Sequence, residues 1–368
     1  VFSIARGCGF CLDCWRWRLM GAPLHVWLLS DGVPGQVNQA RGLVRRIGAI
    51  REIDCKEFAV PMRLQLLRPV LRYAQNRRYG WAYTLARWAY SIWPKAEKNP
   101  GLIVSAGGNT SFINALLAQQ LGCVNFFMGS LRGLDADLFS AVLTLQPLQK
   151  KSGEALQNNI VMPILPSNND PEEAKEAADA LRQSFADFVL GAVLLGGDGS
   201  GYRYKEGDWE QLAQAMNHLS EQQKVIWLVT TSRRTGRRGE DILRRLLNPQ
   251  TVAEVVWFGE NPHNRNSVFL QAADFVLCGE DSMSMVHEAL AADAKLVTLS
   301  PRVAQPPVRY ADKIAQLFED GYLQRCSISA LGALQVSAVC NRRSHQRDWR
   351  GAIERAIEPL LDQIQDSD

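Results

Sequence analysis

At 368 residues the chain has room for two domains, each able to bury its own core. Its 46% apolar and 21% charged residues exclude a disordered polymer, and a net charge of only +3 excludes a protein that coats nucleic acid along its length. No run of about twenty uncharged apolar residues occurs, so no transmembrane helix is expected.

Residues 1–19 have neither an apolar h-region nor a cleavage site, which argues against a signal peptide. They carry Cys8, Cys11 and Cys14. Three close thiols suit zinc, yet a structural site usually takes four ligands, and no second pair is evident. The segment reads instead as a non-native or disordered extension ahead of a domain that starts at Met20. Cys55, Cys123, Cys278, Cys326 and Cys340 are scattered singly. That is the usage of a reducing compartment, so a cytoplasmic protein is expected.

A strand at 25–30 leads into Asp31-Gly32-Val33-Pro34-Gly35-Gln36 and then a helix, with Val37, Ala40, Leu43, Val44 and Ile47 at helical spacing. Asp31 therefore stands at the carboxyl end of a strand, where open α/β sheets bind ligands and a general base would reach an acceptor hydroxyl. A turn or capping aspartate is the plainer reading. Residues 62–98 hold eight Lys and Arg against the single acid Glu97, with seven of the 18 Trp and Tyr. Basic helices with interfacial aromatics suit an anionic membrane surface. Two ordinary helices with inward-packed aromatics would show the same composition. No RNA-binding motif accompanies them, and no nucleic-acid partner is expected.

A buried strand at 101–106 ends in Gly107-Gly108-Asn109, glycines at a strand-to-helix turn where backbone approaches a ligand closely. Apolar residues at 124–128 and the turn around Arg132 precede another strand at 141–145. Asp135-Ala136-Asp137 fits the D-x-D pattern of metal-nucleotide sites, but three letters recur by chance and no other ligands cluster nearby. No metal site is expected. The Asn- and Pro-rich stretch 158–170 reads as a linker, with a helix at 171–188 behind it. Domains are thus expected at 20–165 and 166–347, with a helix in 348–368 packing back on the first.

The second domain opens with a strand at 192–195 and Gly196-Gly197-Asp198-Gly199-Ser200-Gly201, a loop whose amides can face phosphate. No Gly-Lys-Ser/Thr follows, so it is not a Walker loop, and the helix begins only near Asp208, which disfavours a nicotinamide site. A strand at 225–229 delivers Thr231-Ser232-Arg233-Arg234-Thr235, hydroxyls and guanidiniums suited to an anion. The turn 259–263, with Asn261 and His263, lies where a base could stand. A strand at 273–277 then leads through Cys278-Gly279-Glu280-Asp281-Ser282-Met283-Ser284 into a helix carrying Glu288, and a strand follows at 295–299. Ser282 and Ser284 are good N-caps, and a helix start binds phosphate through its free amides and dipole. A loop at 301–307 and helices near 309–323 and 348–364 complete the chain.

Taken in order, Ser30-Asp31-Gly32, Pro34-Gly35, Asn38-Gln39, 106–110, 129–132, 196–199, 231–235, 260–262 and 280–289 resemble the mitochondrial-fission ELM-type family, from about residue 25 to 323. The E-x7-E spacing of Glu280 and Glu288 is similar to the nucleotide-sugar site of GT-B glycosyltransferases. The resemblance implies an α/β chain of two Rossmann-like domains facing a cleft. It also implies a transferase that moves a sugar from a nucleotide-activated donor to an envelope or lipid-linked acceptor without a metal or cofactor. Asp31 would be its base. Gly197, Asp198, Gly199, Ser232, Arg233, Arg234, Asn261, Glu280, Asp281, Ser282, Met283, Ser284 and Glu288 would hold the donor. Gly32, Gly35, Gln39, Gly107, Gly108, Asn109 and Arg132 would form the acceptor-side loops. A nucleotide-sugar epimerase on the same fold and a non-catalytic membrane adaptor are the alternatives, and residues 62–98 would contact the inner membrane face peripherally.

Overall fold

The computed structural model describes residues 22–149, 153–168, 171–339 and 348–364. The thiols at 8–14 and Cys340 lie outside them. Two compact units divide the chain, one formed by the described residues up to Val161 and from Arg350 onward, the other by those within Met162–Trp349. The division therefore falls four residues before the boundary expected from the sequence.

In the first unit, short apolar runs alternate with helices: β1 (Leu24–Ser30), α1 (Pro34–Ile50), β2 (Ile53–Ala59), α2 (Arg68–Asn76), α3 (Trp81–Ala89), β3 (Leu102–Ala106), α4 (Thr110–Leu121), β4 (Val124–Met128), β5 (Ala141–Thr144) and β6 (Asn159–Val161). The strands pair in parallel in the order β2-β1-β3-β4-β5-β6. β3 is buried throughout, as its Leu-Ile-Val-Ser-Ala sequence requires between two helical layers. The edge strand β2 instead carries Lys56 and Glu57 and is mostly exposed, so periodicity gives little sign of it. β6 corrects the linker reading of 158–170: Asn159–Val161 pairs with β5 and completes the sheet. Its apolar run is too short to announce itself.

The second unit follows the same plan through α5 (Pro171–Ser184), β7 (Val189–Leu194), β8 (Tyr202–Arg203), α6 (Glu206–Gln223), β9 (Val225–Thr230), α7 (Gly236–Leu246), β10 (Val252–Val256), α8 (Asn266–Ala272), β11 (Phe275–Gly279), α9 (Met283–Ala291), β12 (Leu296–Ser300), β13 (Val303–Ala304), α10 (Val308–Glu319) and β14 (Leu323–Ser327). Six strands form a parallel sheet in the order β10-β9-β7-β11-β12-β14, and β8 pairs with β13 antiparallel. The helix expected over 309–323 ends at Glu319, because the chain turns at Gly321 (φ 74°) into the edge strand β14. At the centre, Trp227 is fully buried, and its indole N–H donates to Met216 O and Ser220 Oγ. A Cβ on Gly191 would lie 2.5 Å from that ring, which explains a glycine inside β7.

The last helix, α11 (Trp349–Leu361), belongs to the first unit from Arg350 onward. Arg46 pairs with Glu354 at 3.3 Å, and Arg51 donates to Ile364 O. Among the described residues no helix is long and apolar enough to cross a membrane. Two Rossmann-like α/β domains are the fold.

Candidate functional site

Parallel sheets bind ligands where the strand order reverses, outside the carboxyl ends of the two strands flanking that point. In the first sheet that point lies between β1 and β3, whose exits are Asp31–Val33 and Gly107–Asn109. In the second it lies between β7 and β11, whose exits are the glycine loop and Glu280–Ser282. Most of the residues singled out in the sequence thus gather at one point in each unit. Gly35 lies in the first turn of α1 and Gln39 one turn further along it.

In the second unit Asp281 organises the site. Its side chain is fully buried; Oδ2 accepts from Gly197 N at 3.0 Å and pairs with Arg234 at 2.9 Å, and Oδ1 accepts from Tyr204 Oη at 3.0 Å. Burial raises its pKa, against the pull of Arg234, Tyr204 and Gly197. The loop glycines are shaped by this contact. A Cβ on Gly196 would lie 1.9 Å from Asp281 Oδ2, and one on Gly197 (φ 149°) would lie 2.0 Å from Arg234 O. Ser232 and Thr235 hydroxyls both donate to Gly196 O, at 3.0 and 2.6 Å.

Glu280 and Asp281 are both engaged by partners within the protein. The Glu280 carboxylate is 1% exposed and accepts from Arg325 Nε (2.7 Å), Arg325 Nη2 (3.0 Å), Thr298 Oγ1 (2.9 Å) and Tyr202 Oη (3.1 Å). A carboxylate has about four acceptor positions, and all are filled. Both acids hold the protein together. Tyr202, Tyr204, Thr298 and Arg325 were not marked by the sequence, since they come from three separate segments with no motif of their own.

The start of α9 is open. Ser282 is the N-cap residue but caps nothing; its hydroxyl lies 3.3 Å from that of Ser284. The amides of Met283, Ser284 and Met285 have no acceptor among the described residues, as the first turn of a helix allows. Glu288, two turns on, is half-buried and accepts from Asn266 Nδ2 at 3.1 Å. Arg233 is exposed with no ion pair among the described residues, whereas Arg234 is spoken for by Asp281. Asp198, Tyr204, Arg234 and Arg238 line an open pocket of about 440 Å³. Asn261 lies in an exposed turn whose carbonyl meets His263 Nδ1. On the inner face of α9, His287 is fully buried and accepts from Leu165 N; burial drives its pKa down to about 3.

In the first unit Asp31 is half-buried, and its Oδ1 accepts from Val33 N at 3.3 Å, an Asx turn that leads into α1. Gln36 donates to both Asp31 oxygens and lies against Gly107, where a Cβ would be 1.8 Å from its amide. Gly108 is covered in the same way by Arg132. Asn109 accepts from Arg68 Nη2 at 2.6 Å, and its carbonyl accepts from the Tyr90 hydroxyl. Gly32 (φ 81°) makes the turn itself. Arg68 and Tyr90 are additions; their place in a basic, aromatic segment disguised them. Among the described residues no three His, Cys, Asp or Glu side chains stand close enough to hold a metal ion.

The family described as Mitochondrial fission ELM1 matches residues 34–343. The chain belongs to that family. No curated protein matches it. Among solved structures it is similar to the glycotransferase of kitacinnamycin (16% identity, TM-score 0.52, covering 94% of this chain and 100% of that one). It is also similar to the UDP-GlcNAc 2-epimerase from Neisseria meningitidis bound to UDP-GlcNAc (11%, TM-score 0.53, 93% and 100%). A third is the Methanocaldococcus jannaschii UDP-GlcNAc 2-epimerase in complex with UDP-GlcNAc and UDP (13%, TM-score 0.50, 92% and 99%). At such identities the likeness establishes the fold, that of GT-B glycosyltransferases and these epimerases.

Proposed function

We propose that this ELM1-family protein transfers a sugar from a nucleotide-activated donor to an acceptor hydroxyl, on an envelope glycan or a lipid-linked carrier. The observation that carries the reading is the open first turn of α9 at the switch point of the second sheet, with Glu288 two turns behind it. Three unpaired amides and the positive helix end suit a diphosphate. The Glu288 carboxylate suits ribose hydroxyls, and the exposed Arg233 would offset charge on the departing nucleoside diphosphate. Fold neighbours solved with UDP or UDP-GlcNAc support the same reading.

In the transfer, the acceptor oxygen bonds to the anomeric carbon as the bond from that carbon to the β-phosphate oxygen breaks. The acceptor proton passes to Asp31, and the bonding electron pair leaves with the nucleoside diphosphate. Asp31 keeps acceptor capacity beyond its Asx turn and amide contacts, and a positioned base is typically worth about 10²–10⁴-fold.

The experiment measures nucleoside diphosphate release from the sugar nucleotide that binds, with and without a membrane extract as acceptor source. Acceptor-dependent release, cut about 10²–10⁴-fold in Asp31→Asn with donor binding intact, is expected. Undiminished release in that variant overturns the role of Asp31. Turnover without acceptor moves the assignment to epimerase, which the two epimerase neighbours favour; no nucleotide binding moves it to a membrane adaptor.

A further inference from the structure

A group of arginines in the first unit is left unused by the transfer chemistry. Arg132 lies across Gly108, in a left-handed backbone (φ 51°) uncommon outside glycine. Arg72 crosses the next loop residue, Gly133, where a Cβ would be 3.0 Å from its Cδ. Arg68 donates to the neutral amides of Gln65 and Asn109, and its Nε is buried with no partner. Since Gly108 and Asn109 are adjacent, as are Arg132 and Gly133, the three side chains lie on the two loops that leave the carboxyl ends of β3 and β4. None pairs with a carboxylate among the described residues. Guanidiniums that share a surface without an ion-pair partner are open to a phosphate, which guanidinium binds bidentately.

The surface beside it has a second unusual feature. Tyr73 follows Arg72 and begins a ladder of rings, with centroids 6.0 Å apart to Tyr79 and 5.9 Å from Tyr79 to Trp81. All three rings are exposed, at 55%, 43% and 47%. Arg77 and Arg78, exposed and without ion pairs among the described residues, form the turn between the rings. Aromatic rings rimmed by cations fit the headgroup level of an anionic bilayer. We propose that this face docks on a membrane through the Tyr73–Tyr79–Trp81 ladder, and that Arg68, Arg72 and Arg132 hold the phosphate headgroup of a lipid. The inference rests on the transferase reading only in naming that lipid phosphate as the acceptor class; the surface itself stands apart from it.

The test co-sediments the full chain with phosphatidylcholine vesicles carrying either phosphatidic acid or, at matched charge, phosphatidylserine. Binding to both is expected, with preference for the phosphate monoester. Arg132→Ala should lower phosphatidic acid binding by about fivefold or more while phosphatidylserine binding holds, and Arg132→Lys should recover only part of it. Tyr79→Ser with Trp81→Ser should abolish both, and melting curves should show these surface variants folded. Absence of vesicle binding overturns the proposal, as does phosphatidic acid preference that survives Arg132→Ala. Arg132-dependent binding of inorganic phosphate without vesicle binding also overturns it, in favour of a soluble phosphate ligand. The assay contains no nucleotide, so lipid binding by a chain that ignores every sugar nucleotide would sink the transferase reading alone.

Discussion

At the strand ends of the second unit, Asp281 pairs with Arg234 and Glu280 with Arg325; at the ends of β3 and β4 in the first, Arg68, Arg72 and Arg132 find no carboxylate among the described residues. The sheets share a parallel plan, yet one set of charges is internal cement and the other faces outward. A polar motif at a strand end therefore has two meanings. Where buried partners fill every acceptor position, as at Glu280, the residue builds the site. Where donors remain open, as at the α9 amides or Arg132, the residue is available to a ligand.

The sharpest way to break this contrast is Glu280→Ala. Removing one partner of a buried ion pair costs about 3–5 kcal/mol, and the lower end applies here because Arg325 is partly in water. Urea unfolding should register a loss of about 3 kcal/mol; a loss under about 1 kcal/mol would mean Glu280 is not structural. Next is Gly197→Ala, whose Cβ meets the Arg234 backbone at a positive φ. About 2–3 kcal/mol should be lost, as for other overpacked cores.

His287 sharpens the contrast through pH. Its folded pKa of about 3 lies below the ordinary 6.5, because burial opposes the charged form, so only the unfolded chain takes up the proton in between. Stability present above pH 6.5 should fall by about 1.4 kcal/mol per pH unit as pH drops toward 3, and the slope should flatten in His287→Gln. A slope unchanged in that variant would assign the loss to other groups. Gly108→Ala is the mildest. The atoms in its way belong to the flexible Arg132 side chain, so thermal unfolding should move by less than about 1 kcal/mol while lipid phosphate binding falls. A loss as large as that of Gly197→Ala would erase the difference between the two units.

Much of the architecture was legible because apolar runs such as 102–106 and 275–279 alternate with amphipathic helices. Elements without that signal were missed. β2 is an exposed edge, β6 has three residues, and β14 hides behind a helix whose stop depends on Gly321. Site residues were legible by position rather than by role. Strand ends pointed to Asp31, Gly107, Gly196 and Ser282, since ligands meet parallel sheets there. Only three-dimensional pairing shows that Glu280 is spent on Arg325 and that Gly196 yields to the Asp281 carboxylate. The aromatic segment divided: Tyr90 packs inward, while Tyr73, Tyr79, Trp81 and Trp88 stay exposed.

The central claim is a nucleotide-sugar donor at the start of α9 with Glu288 on its ribose. A thermal-shift screen of UDP-, GDP-, ADP-, dTDP- and CMP-sugars against the native chain and Glu288→Ala tests it most directly. A donor at about a hundred times its dissociation constant adds about 2.7 kcal/mol of stability. The account predicts stabilisation by one nucleotide family, lost in Glu288→Ala. No shift with any of the five, or a shift that the variant keeps in full, would contradict it.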